Sequence, residues 1–172
     1  MMMSARLAVF GGVYSNHLAL QAVFADIAAR GVDLTWCLGD LGGFGPHPDR
    51  SAAILRDSGI PMLRGNYDDS IGHDRADCAC GYSDPRDNRF AQLSYDYTVA
   101  CTSAEHKRWM RELPERQVLT IEGRSVLLCH GSPRRVNEFL WESACSDMFL
   151  EWLCDTFAAE VIVCGHSGLP WH

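Results

Sequence analysis

Three features of this 172-residue chain predict an α/β protein built around a largely parallel sheet. Short apolar runs alternate with helix-like segments, the pattern of strands joined by helical crossovers. Gly-rich turns close most of the apolar runs. Side chains able to bind metal fall just past the ends of those runs, the edge where open α/β sheets bind ligands.

The elements follow in order. Leu7 to Phe10 is an apolar run ending at Gly11-Gly12 and reads as a buried strand. Ser15 or Asn16 can cap a helix whose apolar face is Leu18, Ala22, Val23, Ile27 and Ala28. Leu34 to Leu38 is a second strand, ending at Gly39-Asp40, and Gly42, Gly43, Gly45 and Pro46 make a long turn. Asp49 to Asp57 reads as helix, with Ala52, Ala53 and Leu55 apolar. Ile60 to Leu63 is a third strand, ending at Gly65-Asn66. Residues 68–90, rich in Asp, Gly, Arg and Cys, show no clear periodicity. The stretch 69–90 is therefore a loop or cap inserted in a single 1–172 domain.

Two helices are expected near 89–101 and 104–112, the second capped by Ser103 and stopped by Pro114. Gln117 to Ile121, Glu122-Gly123 and Ser125 to Cys129 read as a hairpin whose second strand ends at His130-Gly131. Residues 144–158 form an apolar helix through Phe149, Leu150, Trp152, Leu153 and Phe157. Val161 to Cys164 is the last strand, ending at Gly165-His166. Trp109, Trp141, Trp152 and Phe149 sit at helical spacing and read as core rather than as a substrate platform.

Composition narrows the function classes. The formal net charge of -7 makes the chain a poor non-specific binder of nucleic acid or of anionic membrane. It leaves room for a small phosphorylated substrate, because a bound metal supplies local positive charge. No apolar run approaches the roughly 20 residues of a membrane span. The start, Met1-Met2-Met3-Ser4-Ala5-Arg6, lacks the apolar core and cleavage site of a signal peptide, so a cytoplasmic location is expected. In such reducing surroundings the eight Cys are not primarily a disulfide framework. Cys37, Cys129 and Cys164 lie in apolar runs and pack as small hydrophobes. The C-x-C of Cys78 and Cys80 is either a loop with two thiols or a soft metal site.

Asp40, Asn66, His130 and His166 stand just past strand ends, three of them after a Gly. A single Gly-Asp or Gly-His is commonly a turn. Four such side chains at one rim, in matching contexts, point to a mixed oxygen and nitrogen metal site.

Gly39-Asp40, Gly65-Asn66-Tyr67-Asp68, His130-Gly131-Ser132-Pro133 and Gly165-His166 resemble the ordered motifs of the calcineurin-like metallophosphoesterases, in their small bacterial phosphodiesterase-type branch. Those motifs are GD, GNHD, a lone His and GHxH, after an N-terminal DxH. The resemblance spans about Arg6 to His172. It implies a two-sheet α/β sandwich flanked by helices, with metals at the strand ends bridged by Asp40. It also implies Asp40, Asn66, His130 and His166 as ligands of one divalent metal, with Mn, Fe or Zn the candidates and one or two ions in all. The family continues beyond GHxH with strands that complete the second sheet. If those are lacking, an open edge offers a route to a homo-oligomer.

The departures fall on the other half of the family's site. Gly12-Val13-Tyr14 stands where DxH would be, Gly168 replaces the second His of GHxH, and Tyr67 replaces the GNHD His. Tyr14 or His172 can serve as replacement ligands, and His17 lies just past the first loop; each can equally be structural. Tyr67 and Asp68 are expected to support the phosphate or leaving group. Tyr67, with an ordinary pKa near about 10, is a weak proton donor, which favours esters with good leaving groups. Arg134 and Arg135 are either phosphate ligands or a solvated turn. Two functions follow: a metal-dependent phosphoesterase, more suited to phosphodiesters, acting through metal-activated water; or a degenerate scaffold of the same fold that binds a protein partner.

Overall fold

The computed structural model describes residues 5–80 and 82–172. Residues 1–4, and Gly81 within the stretch expected as a loop or cap, lie outside the described residues. Strand β1 (Leu7–Phe10) is followed by α1 (His17–Arg30), β2 (Leu34–Cys37), α2 (Pro48–Ser58), α3 (Asn66–Gly72), α4 (Pro85–Cys101) and α5 (Ala104–Glu112). Then come β3 (Arg116–Ile121), β4 (Arg124–Cys129), α6 (Asp147–Thr156) and β5 (Val161–Val163).

Two sheets replace the single one that alternation suggests, in agreement with the family resemblance. β1 and β2 pair in parallel. β3 and β4 form the expected antiparallel hairpin, and β5 joins β4 in parallel. Leu38 and Leu63 from the first sheet's side meet Val126 and Leu128 of β4, with Trp36, Leu119, Ile121 and Val163 around them. This is the apolar layer between the sheets, about 10 Å thick in such packings. On the far side of β2, a second cluster joins Cys37 and Met62 to Leu20 of α1, Leu55 of α2, Ile71 of α3, Tyr95 of α4 and Met110 of α5.

Several local expectations change. Ile60–Leu63 is not a strand: only Met62 bridges Cys37, in parallel. Pro61 has no N–H to donate, so the ladder cannot propagate. The unstructured stretch is shorter than expected, because α3 fills Asn66–Gly72 and α4 starts at Pro85 behind the cap of Asp84. In α1, Leu18 is 67% exposed while His17 and Leu20 are buried. The helix is turned away from the expected face, which an Ala-rich sequence marks poorly. Helix α6 is shorter than 144–158, beginning after the Ser146 cap. The Asn16 cap of α1 and the Ser103 cap of α5 form as expected.

Candidate metal centre

The rim is built by interlocked backbone. Leu38 N–H donates to Phe10 O (2.6 Å), Gly12 to Gly39 O (3.0 Å), and Tyr14 to Asp40 O (3.2 Å). The loop after β1 therefore runs beside the loop after β2. A Cβ on Gly39 would lie 2.5 Å from the backbone N of Gly65, so only Gly lets these two chain segments touch. Asp40 (φ 57°) and His166 (φ 61°) both occupy the left-handed region. For residues other than Gly such backbone carries a cost, and it concentrates where side chains are aimed at a ligand.

Asp68 holds this turn from beneath. Its fully buried carboxylate accepts from the N–H groups of Asp40 (2.7 Å), Leu41 (3.0 Å) and Gly65 (2.9 Å). Burial, reinforced by the charge of Asp40, pushes its pKa up to about 6, against the pull of those amides. The geometry engages Asp68 with backbone, one layer below the rim, rather than aiming it at a substrate.

The four predicted ligands converge. His130 Nε2 lies 3.2 Å from Asp40 Oδ2, 3.2 Å from Asn66 Oδ1 and 3.2 Å from His166 Nδ1. The ligand atoms of Asp40, His130 and His166 fall within 4.8 Å of one another. Each is oriented from behind. His130 Nδ1 is 2.7 Å from Leu38 O, which assigns the proton to Nδ1 and leaves the Nε2 lone pair facing the cluster. Asn66 donates Nδ2 to Cys78 O at 2.8 Å, turning Oδ1 inward. Phe139 stacks on the His166 ring, centroids 4.1 Å apart. Burial and the neighbouring His130 lower His166 to a pKa of about 4, so its imidazole is neutral near neutral pH. His130 moves the other way: burial opposes its charge, but Asp40 and Asp68 raise its pKa. Lone pairs gathered this closely repel unless a cation lies among them. The residues fit a divalent ion with oxygen and imidazole ligands.

The other candidates are dispersed. Tyr67 is buried, with its hydroxyl unpartnered and its ring packed near Tyr14, Phe44 and Tyr95. Burial raises its pKa and that of Tyr14, which keeps both phenols protonated in the absence of a metal. Tyr14 lines a cleft beside His166. His172 is exposed and outside the ligand cluster, and His17 is buried against His47, ring centroids 4.9 Å apart. Neither joins the cluster. Cys78 and Cys80 are joined in a disulfide, contrary to the two-thiol loop; bonded sulfurs are not thiolate ligands. Arg134 pairs with Glu138 and lies over the rings of Phe149 and Trp152; with Arg135 it lines a small pocket that His130 also borders.

Trp152, exposed on α6, and Trp141 are not core. Trp141 lines the cleft with Tyr14, Tyr82, Phe139 and His166. The roles of Tyr82 and Phe139 were missed in the sequence. The sequence signal for Phe139 is the close aromatic pair Phe139 and Trp141 in the stretch between β4 and α6.

The chain belongs to the calcineurin-like phosphoesterase superfamily, whose domain model matches residues 6–170. This is a family of metal-dependent phosphoesterases, and the cluster described above is a candidate site for the ion. The chain is 27% identical over 172 residues to an uncharacterised protein of Methanocaldococcus jannaschii, covering 99% of this chain and 65% of that one. The crystal structure of a metallophosphoesterase from Sphaerobacter thermophilus aligns with a TM-score of 0.69 at 27% identity, over 98% of this chain and 62% of that one. A hypothetical protein from Pyrococcus horikoshii aligns with a TM-score of 0.76 at 18% identity, over 96% and 71%, a likeness of fold alone. The chain thus spans less than two thirds of the first two relatives. Among the described residues, no helix is long and apolar enough to cross a membrane.

Proposed function

We propose that this chain hydrolyses phosphoesters, with a bias to phosphodiesters, using one divalent ion held by Asp40, Asn66, His130 and His166. The convergence of those four ligand atoms on one point carries the reading. A Mn, Fe or Zn ion bound there would supply Lewis acidity toward a phosphoryl oxygen and would acidify water. The protein's own contribution is orientation. Leu38 O and the Phe139 ring fix the two imidazoles, and Cys78 O fixes the Asn66 amide. Asp68 holds the backbone of Asp40 and so aims its carboxylate. The unpartnered Tyr67 hydroxyl stays protonated and is available to donate to a phosphate oxygen or a leaving group. A phenol is a poor acid for an alkoxide leaving group, hence the bias to diesters that leave easily.

The second reading, a scaffold that binds a protein partner, is favoured by Gly12, Tyr14 and Gly168 standing where the resemblance expects acid and imidazole ligands. The experiment that separates the two is metal analysis of chelator-free protein, paired with turnover of bis(p-nitrophenyl) phosphate. One ion per chain and turnover that vanishes on chelation and returns with Mn or Zn are expected. No bound ion after loading, and no turnover, would leave the scaffold.

A further inference from the structure

We propose that the cleft opening beside His166 is a subsite for a planar aromatic group carried by the phosphoester. This rests on the phosphoesterase reading and specifies its substrate class.

The cleft has a volume of about 420 Å³, within the usual range for small-molecule sites. Its wall is a continuous stack that starts at a metal ligand. Phe139 lies on the imidazole of His166 with centroids 4.1 Å apart and an interplanar angle of 27°. Trp141 lies on Phe139 at 5.0 Å and 10°. Tyr82, 36% exposed, tilts toward Phe139 at 6.2 Å, and Tyr14 joins the lining. Rings left accessible beside a site are hydrophobic surface awaiting cover, and offset stacking at about 4.5–7 Å is the arrangement aromatic pairs prefer.

The polar lining narrows the occupant. Among the described residues, the cleft offers Ser83, Ser167 and the tyrosines, but no Lys, Arg, Asp or Glu. A second phosphate would find no counter-charge there, in a chain of net charge -7. A neutral ring with hydrogen-bonding edges matches both the aromatic wall and the hydroxyls. Because the stack begins on His166, a ring in the cleft is adjacent to a phosphate at the metal centre. Two sources share this chemistry, a nucleobase and a simple aryl ester.

The test is calorimetric binding to the metal-loaded chain of methyl phosphate, phenyl phosphate and adenosine monophosphate, with adenosine and phenol as phosphate-free probes. Ring-bearing phosphates should bind roughly tenfold or more tightly than methyl phosphate, the scale of one base stacked on aromatic side chains. Trp141→Ala and, separately, Tyr82→Ala should erase that preference and leave methyl phosphate binding unchanged. The second variant guards against misfolding of the first. A nucleobase subsite gives tighter binding of adenosine monophosphate than of phenyl phosphate; an aryl subsite gives the reverse or equality. Equal binding of ringed and ringless phosphates, or a preference that survives both variants, overturns the proposal. Methyl phosphate failing to bind while adenosine or phenol binds in a Trp141-dependent way would sink the phosphoesterase reading and keep the aromatic cleft. No binding by any probe would overturn both.

Discussion

The two halves of one rim differ in what fills them. On one side Asp40, Asn66, His130 and His166 point their ligand atoms at a common centre, each braced from behind by backbone or by a ring. On the other side, where the family resemblance expects DxH and a second His, stand Gly12, Tyr14 and Gly168, and the space is an aromatic cleft. The fold delivers both sets of positions to one rim, so fold alone does not explain the contrast. What differs is side-chain chemistry. One half gathers oxygen and imidazole ligand atoms suited to a hard or borderline cation, and the other has ring surface in place of charge.

The largest expected effect breaks the first half. His130→Ala removes the imidazole at the centre of the cluster; bound metal should fall from one per chain to none, and diester turnover by more than about 100-fold. Metal analysis and steady-state rates check this, and unchanged metal content would mean that the ion binds elsewhere. Next in size, Asp68→Ala orphans three buried amides beneath the rim and should destabilise the chain by about 3–5 kcal/mol in urea unfolding. A loss under about 1 kcal/mol would show that the turn holds without it.

The third prediction tries to erase the contrast. Combined Gly12→Asp, Tyr14→His and Gly168→His should raise bound metal from one to two ions per chain. If the unaltered chain already carries two, the halves are not different in kind.

The smallest effect concerns the loop that carries Phe139 and Trp141. The Arg134 guanidinium, aided by the Ser132 hydroxyl and opposed by burial, holds Glu138 below the usual carboxylate range. A depressed carboxylate stabilises above its unfolded pKa, and that stabilisation is lost as pH falls through the folded value. Glu138→Gln should therefore cost under about 1 kcal/mol near neutral pH, since Arg134 is 37% exposed, and nothing in strong acid. Unfolding midpoints of the two proteins converging below about pH 4 would bear this out.

Legibility in the sequence followed locality. The hairpin, the Ser103 cap and the meeting of Asp40, Asn66, His130 and His166 are readable because each is signalled within a few residues: a Glu-Gly turn, a Ser before a helix, a Gly before three of the four. Helix α3 was hidden because its seven residues, Asn66–Gly72, are mostly polar and carry little apolar periodicity. Pro61 turned an apparent strand into a single bridge. The cleft was unreadable for a different reason. Tyr14, Tyr82, Phe139 and Trp141 meet from three loops distant in the chain, and composition alone does not bring them together. The Cys78–Cys80 link is not legible from redox compartment, which says nothing about two cysteines one residue apart.

The Gly39–Gly65 contact sets how this protein tolerates mutation. With Asp40 and Asn66 each one residue away, a single added methyl group would push apart the segments that carry two of the four ligands. Random substitution would then fall into two unequal classes. Changes at Tyr82 or Trp141 alter what the cleft admits and touch none of the four converging side chains. A change at either glycine would displace the backbone of Asp40 and Asn66 together, without altering either residue. A library diversified for new substrates can vary Tyr82 and Trp141, provided these two glycines are left alone.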